Sequence, residues 1–268
     1  LARLGYEVNI YEKDDKAGGY LRYGIPEYRL PSHIVDSEIA KVEALGVKIH
    51  LNTKVGRDIA LSDLKDNNHA VIVAVGANRG KMIPLFANNK YVEIAVDFLK
   101  RVKDSKGQVE IPQNILVIGG GDVAMDTNVT LKLLGCKNIT DVVYEEFCEF
   151  RASKKELRDT QKLGISIIDG YVPLAVEGNT VTFKHRVIPG EVKITADKII
   201  LAIGQYPDVE GLDGIRIVKG ESDVPGYVTT DPKVYVAGDI AHLDKTVVAA
   251  VRTGKDVAYL IHSKIGGR

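Results

Sequence analysis

Asn114-Ile115-Leu116-Val117-Ile118 runs without interruption into Gly119-Gly120-Gly121-Asp122-Val123-Ala124, and this junction constrains the fold more than any other stretch. The first five residues read as a strand. From Asp122 to Leu134 the pattern is helical, and Gly135 closes it. The glycines match G-x-G-x-x-A after a strand and at the opening of a helix, the context in which the pattern reads as a dinucleotide fingerprint. Gly119 permits the tight turn, Gly121 lets backbone approach a pyrophosphate, and Ala124 allows close helix–strand packing. Free amides at the helix start then hold the phosphates.

The position that reads an adenosine ribose lies at the end of the next strand, Ile139–Tyr144. Glu145 and Glu146 follow it, and Glu145 stands 26 residues after Gly119. That is near the roughly 20-residue spacing of the ribose-binding acid. Two carboxylates there oppose a 2′-phosphate and favour NADH over NADPH. Arg151 offsets them, and Lys154 and Lys155 are close enough in sequence to keep both nucleotides open.

The remaining pattern is α/β. Residues 33–45 carry apolar side chains at helical spacing, residues 47–51 form a short strand, and Ala70–Val75 form an apolar strand that ends at Gly76. A boundary is expected near residue 108, after the polar stretch 100–107. Helix 153–163, strand 165–169, a hairpin or meander over 171–195 and strand 199–203 complete the second unit. Strand 234–236 and a helix over about 246–263 close the chain. Ile199–Ile203 repeats the device of Val71–Val75, an apolar strand delivering a glycine, in this case Gly204.

At the other end, Leu1–Gly5 reads as the last turn of a helix and Tyr6–Glu12 as a strand ending on an acid. Together they are the second half of a dinucleotide-binding unit, so a parent chain that continues upstream is expected. Near the C-terminus, Val236-Ala237-Gly238-Asp239 places an acid after a glycine, and the amides of the helix begun near Thr246 would lie close to it.

Composition excludes several classes. Among 268 residues, 36 Lys and Arg balance 36 Asp and Glu, leaving no electrostatic footprint for nucleic acid or an anionic membrane. No apolar run reaches the roughly 18 residues of a membrane helix. Cys136 and Cys148 make neither a disulfide framework nor a CxxC centre. The histidines, among them His33, His50, His185 and His242, show no metal-ligand spacing. No HExxH, GxSxG or P-loop motif occurs. A soluble cytoplasmic protein with no metal site is expected.

These motifs, with Tyr23-Gly24-Ile25-Pro26-Glu27-Tyr28-Arg29-Leu30-Pro31 and Ala152-Ser153-Lys154-Lys155-Glu156-Leu157, resemble the NAD(P)H-dependent FAD oxidoreductases of the glutamate synthase small-subunit type. The flavin portion of dihydropyrimidine dehydrogenase and a selenate reductase subunit share the pattern. The resemblance covers essentially the whole chain. It implies a two-dinucleotide-binding-domain flavoprotein fold, with a Rossmann-like NAD(P)H domain (108–204) inserted in an incomplete FAD domain (1–107 and 205–268). It further implies that Glu12 binds the FAD ribose and that Gly19, Tyr20, Arg29 and Val55 line the flavin site. Gly238, Asp239, Thr246 and Val247 would hold the ribityl and pyrophosphate side, while Gly120, Gly121, Asp122, Val123, Ala202, Ile203 and Gly204 would contact the nicotinamide nucleotide.

Hydride would pass from nicotinamide to flavin, and electrons onward to a separate iron–sulfur or reductase domain or subunit. No acid, base or nucleophile is assigned, because the cofactors supply the chemistry. Two features depart from the family: Glu145 and Glu146 stand where basic residues are usual, and the half-unit with the FAD phosphate loop is missing, so weak flavin retention is expected. A pyridine-nucleotide sensor without turnover is the competing reading. A disulfide reductase is weaker still, for want of a CxxC.

Overall fold

The strand Asn114–Ile118 has no polar face to turn toward water, and its four aliphatic residues are all buried. The computed structural model describes residues 1–218, 221–222, 226–241 and 244–266, so His242 lies outside the described residues. In chain order the elements begin β1 (Asn9–Tyr11), α1 (Gly19–Tyr23), α2 (Ser32–Glu43), β2 (Lys48–His50), α3 (Leu61–Asn67), β3 (Val71–Val73), β4 (Arg79–Gly80), β5 (Val92–Ile94) and α4 (Ala95–Asp104). Next come β6 (Asn114–Ile118), α5 (Asp122–Leu133), β7 (Asn138–Val142), α6 (Lys154–Lys162) and β8 (Ser166–Ile168). The last group is β9 (Tyr171–Glu177), β10 (Thr180–His185), β11 (Glu191–Thr195), β12 (Lys198–Leu201), β13 (Gln205–Tyr206), β14 (Ile217–Val218), β15 (Glu221–Ser222), β16 (Val234–Val236) and α7 (Val247–Ile265).

The chain divides into two compact units, one of Leu1–Arg22, Leu30–Arg79 and Gln205–Arg268, the other of Tyr23–Arg29 and Gly80–Gly204. The division after residue 79 differs from the boundary expected near 108. Helix α4 is the reason. Its C-terminal end is polar, but Ala95, Phe98 and Leu99 are buried in the core of the second unit, and β5 pairs with β12. Burying a side chain the size of Phe98 stabilises by about 1.5–3 kcal/mol, which outweighs the polarity of residues 100–107.

The second unit holds a five-stranded parallel sheet in the order β5-β12-β6-β7-β8. Alternate residues of β6 bury on opposite faces. Ile115 and Val117 pack with Met125 and Leu131 of α5, whereas Leu116 and Ile118 pack with Val181 and Phe183 of β10. Strands β9, β10 and β11 form the antiparallel meander expected over 171–195, with a bulge at Thr182/Phe183. Helix α5 ends in a Schellman closure. The Cys136 amide donates to the Leu131 carbonyl, and Gly135 takes φ +92°.

The first unit contains two separate parallel pairs, β1 with β2 and β3 with β16. Val234 and Val236 pack with Val73 and Ile240 on one face of β16, and Tyr235 packs with Val257 and Ile261 of α7 on the other. An apolar cavity of about 310 Å³ in this unit is lined by Val8 and Ile10, Val42 and Leu45, Ile72 and Ala258. Arg3 is the one charged side chain in its lining among the described residues. Among the described residues, no helix is long and apolar enough to cross a membrane.

Beneath the glycine turn, the Asp141 side chain of β7 is wholly buried and accepts a 2.6 Å hydrogen bond from Asn128 Nδ2 of α5. Asp141 Oδ1 has no hydrogen-bond partner among the described residues. Burial pushes this carboxyl well above the usual range, with the Asn128 amide and the Gly119 N–H opposing. The folded chain therefore keeps a proton that the unfolded chain releases near pH 4. Stability then falls as pH rises above about 4, until the buried acid itself ionises. Urea unfolding between about pH 5 and 9 is expected to show this decline in the wild type and a flatter profile in Asp141→Asn. Each pH unit separating the two titrations is worth about 1.4 kcal/mol. Equal slopes in the two proteins would show that Asp141 is ionised in the fold.

Candidate nucleotide and cofactor sites

The order β5-β12-β6-β7-β8 runs from β6 through β7 to β8 on one side and returns to β12 on the other. The carboxyl ends of β6 and β12 thus flank the switch point, where open parallel sheets bind their ligands. Gly119 leaves β6 with φ +154°, and a Cβ on it would overlap the Ala202 carbonyl oxygen at the end of β12. A Cβ on Gly120 would overlap Val143 Cγ1 and lie 3.1 Å from Glu145 Oε2. Both glycines are therefore demanded by the protein's own packing. Gly121 is different: a Cβ there would meet nothing within 4 Å. The space beside it is open at the start of α5, where backbone amides lack helical acceptors, and it fits a phosphate group.

The loop after β7 is tied to this turn. The Ala152 amide donates to the Gly120 carbonyl at 3.0 Å, and the Ser153 amide donates to Asp122 Oδ1 at 2.8 Å. Ser153 in turn caps α6, its hydroxyl accepting from the Glu156 amide. The two expected ribose acids part company. Glu145 is half-buried, beside Gly120, and pairs with Arg151 Nε at 3.1 Å. Glu146 instead forms a capping box with Glu149 around the turn Phe147–Glu149, and the Glu146 backbone together with Arg186 holds the Glu149 carboxyl below its usual range. Of the strand-end residues on β12, Ala202 donates its amide to the Ile118 carbonyl, and Gly204 takes φ +103° and accepts from the Lys81 amide.

The expected flavin residues of the first unit include two half-buried acids. Glu12 follows β1 and accepts from the Asp14 amide at 3.0 Å, and burial raises its pKa above the usual carboxylate value. Asp239 lies in the turn Gly238–Ile240, and burial raises it too, with Lys245 opposing. The Gly238 amide donates to Thr253 Oγ1 of α7, and Thr246 caps that helix by accepting from the Ala249 amide. Val247 opens α7, Tyr20 on α1 accepts from Gln205 Nε2 at 3.2 Å, and Val55 packs on the core around Val73. Gly19 takes φ +50°.

Arg29 belongs to the second unit, and its guanidinium is occupied there. Its Nη1 donates to both oxygens of Asp126 on α5, at 2.6 and 2.7 Å, and Nη2 pairs with Glu156 Oε1 on α6 at 3.0 Å. Tyr28 adds a 3.2 Å hydrogen bond to Asp126. Neither Asp126 nor Glu156 is singled out by local sequence pattern. The available signal was the placement of an acid in a helix buried on nearly every side, where Ala124, Met125, Thr127, Asn128 and Val129 are also buried.

The free cysteines are Cys136, buried and with its thiol pushed up by burial, and Cys148, exposed. They form no redox pair.

Comparison with known proteins agrees with this architecture. The chain is 50% identical over 267 residues to the NAD-dependent dihydropyrimidine dehydrogenase subunit PreT of Escherichia coli K12, covering all of this chain and 65% of that protein. It is 29% identical to the glutamate synthase [NADPH] small chain of Azospirillum brasilense, covering 98% of this chain and 62% of the relative. The chain thus spans somewhat less than two thirds of the length of these curated relatives.

Among solved structures, Mycobacterium tuberculosis FprA in complex with NADPH superposes with a TM-score of 0.81 at 16% identity, over 97% of this chain and 78% of that one. The thioredoxin reductase of T. acidophilum superposes with a TM-score of 0.73 at 19% identity, over 98% of this chain and 92% of that one. These likenesses show the two-dinucleotide-binding fold. The family model for pyridine nucleotide-disulphide oxidoreductases matches residues 1–254, and the chain belongs to that family.

Proposed function

We propose that this chain is an oxidoreductase module in which a pyridine nucleotide, NADH in preference to NADPH, passes a hydride to FAD. Electrons then leave for a separate iron–sulfur or reductase domain or subunit. The observation that carries the reading is the open space beside Gly121 at the sheet's switch point, with Glu145 at the end of the neighbouring strand. The names of the relatives support it: one is an NAD-dependent dehydrogenase subunit and another a synthase small chain. In this reading the second unit takes the pyridine nucleotide and the first takes FAD. The bound cofactors supply the redox chemistry, and the chain binds and orients them.

The amides of Asp122 and Val123 donate to phosphate oxygens at the start of α5. Glu145 accepts from ribose hydroxyls, and its carboxylate opposes a 2′-phosphate. Arg151 pairs with Glu145 and is otherwise exposed, so it tempers that discrimination. Ala202, Ile203 and Gly204 border the nicotinamide end. In the first unit, Glu12 and Asp239 are half-buried acids without a close cation among the hydrogen bonds and ion pairs of the described residues. Each suits a hydroxyl donor, Glu12 from the FAD ribose and Asp239 from the ribityl chain. Gly19, Tyr20, Val55, Gly238, Thr246 and Val247 complete that site.

Calorimetric titration tests the nucleotide assignment. Glu145→Gln is expected to narrow the NADH-over-NADPH preference about tenfold, equivalent to about 1.4 kcal/mol. Glu146→Gln is expected to leave the preference unchanged, because its side chain serves the 147–149 cap. A preference set by Glu146, or tighter NADPH than NADH in the wild type, would sink the assignment.

The flavin assignment has its own test. Glu12→Gln and Asp239→Asn are each expected to weaken FAD binding about tenfold, read by absorbance on titration, with NADH affinity unaltered. FAD affinity insensitive to both would place the flavin elsewhere.

A further inference from the structure

Two buried carboxylates of the second unit, Asp126 on α5 and Glu156 on α6, share one guanidinium. Their side chains are 8% and 6% exposed, and Arg29 between them is 30% exposed. Neighbouring charged or titratable groups are Tyr28, bonded to Asp126, and Lys155, 3.5 Å from Glu156 Oε1 and largely exposed. From α4, Lys100 sits 3.5 Å over the Tyr23 ring and Lys103 pairs with Glu27 at 3.6 Å, so segment 23–29 is fastened along its length.

Asp126 lies one turn beyond Asp122, which receives the Ser153 amide, and Glu156 lies in the first turn of α6 beyond Ser153. The glycine turn, the loop 147–153 and the first turn of α6 are thus one hydrogen-bonded assembly, and Arg29 neutralises the two acids behind it. Without that cation, two desolvated like charges would face each other across the α5–α6 packing, a costly arrangement when one partner of a buried ion pair is removed.

We infer that Arg29 is a positioning residue for the pyridine-nucleotide site, holding α6 and the loop 147–153 against the glycine turn by neutralising Asp126 and Glu156. Arg29 touches no expected nucleotide contact itself and acts through the two helices. The inference rests on the pyridine-nucleotide reading of the second unit for its affinity readout, and on hydrogen bonds of the structure for its second readout.

The test measures NADH dissociation constants for the full chain and for Arg29→Met, Arg29→Lys and Arg29→Met/Asp126→Asn. Arg29→Met is expected to bind NADH about 10–100-fold more weakly at neutral pH. The deficit should shrink as pH falls, because burial already raises the Asp126 pKa and the acid takes up a proton more readily once the cation is gone. Arg29→Lys should recover part of the affinity, and the double variant, which carries one acid fewer, most of it. The double variant also serves if Arg29→Met alone does not fold.

Binding by Arg29→Met within twofold of wild type overturns the inference. So does a deficit that neither acid pH nor Asp126→Asn relieves. Hydrogen exchange without nucleotide supplies the second readout: the Ala152 and Ser153 amides should exchange faster in Arg29→Met, or in the double variant relative to Asp126→Asn alone. Unchanged protection overturns the inference. If the wild type binds neither NADH nor NADPH, the oxidoreductase reading fails, and the exchange result alone decides the role of Arg29.

Discussion

The carbonyl oxygen of Ala202 occupies the space that any side chain at position 119 would need. That single exclusion lets the carboxyl ends of β6 and β12 approach at the switch point of the sheet. Gly120 repeats the constraint toward β7, where Val143 and Glu145 fill the corresponding space. With two glycines consumed by packing, the turn is held from both sides. The third glycine faces open space, and the first turn of α5 points its unpaired amides toward the same end of the sheet. The open space beside Gly121 is therefore a consequence of how three strands converge.

The protein handles buried acids in three different ways. Asp126 and Glu156 are neutralised by Arg29, which lets two helices pack with carboxylates between them. Asp141 accepts from the Asn128 amide, and burial raises its pKa, which favours the neutral carboxyl under the turn. Glu12 and Asp239 are only half-buried and keep raised pKa values with little opposing charge, as a site awaiting hydroxyl donors would. The contrast separates acids neutralised by a cation from acids shifted chiefly by burial.

Much of the architecture was legible because short-range rules dominate it. The strand at 114–118, the helix that follows and the meander over 171–195 were read from apolar runs, glycine closures and turn dipeptides, and all three are present. The unit boundary was misread because Phe98 and Leu99 outweigh the polar end of α4, and only packing reveals which half of an amphipathic helix decides its allegiance. Glu145 and Glu146 are adjacent and chemically alike in sequence. Their separation into a residue beside the glycine turn and a helix-type cap depends on where Glu149 and Arg151 fold back.

By itself, then, the sequence determined the α/β class, the position of the dinucleotide turn and the acids at the strand ends, since strand, helix and turn preferences act over a few residues. Tertiary structure alone decided that Arg29 joins Glu156 and Asp126, the latter 97 residues away in the chain. It also decided that Gly119 and Gly120 are required by protein atoms while Gly121 is not. Such pairings follow from which elements the core brings together, and burial, rather than local spacing, determines which charges need a partner.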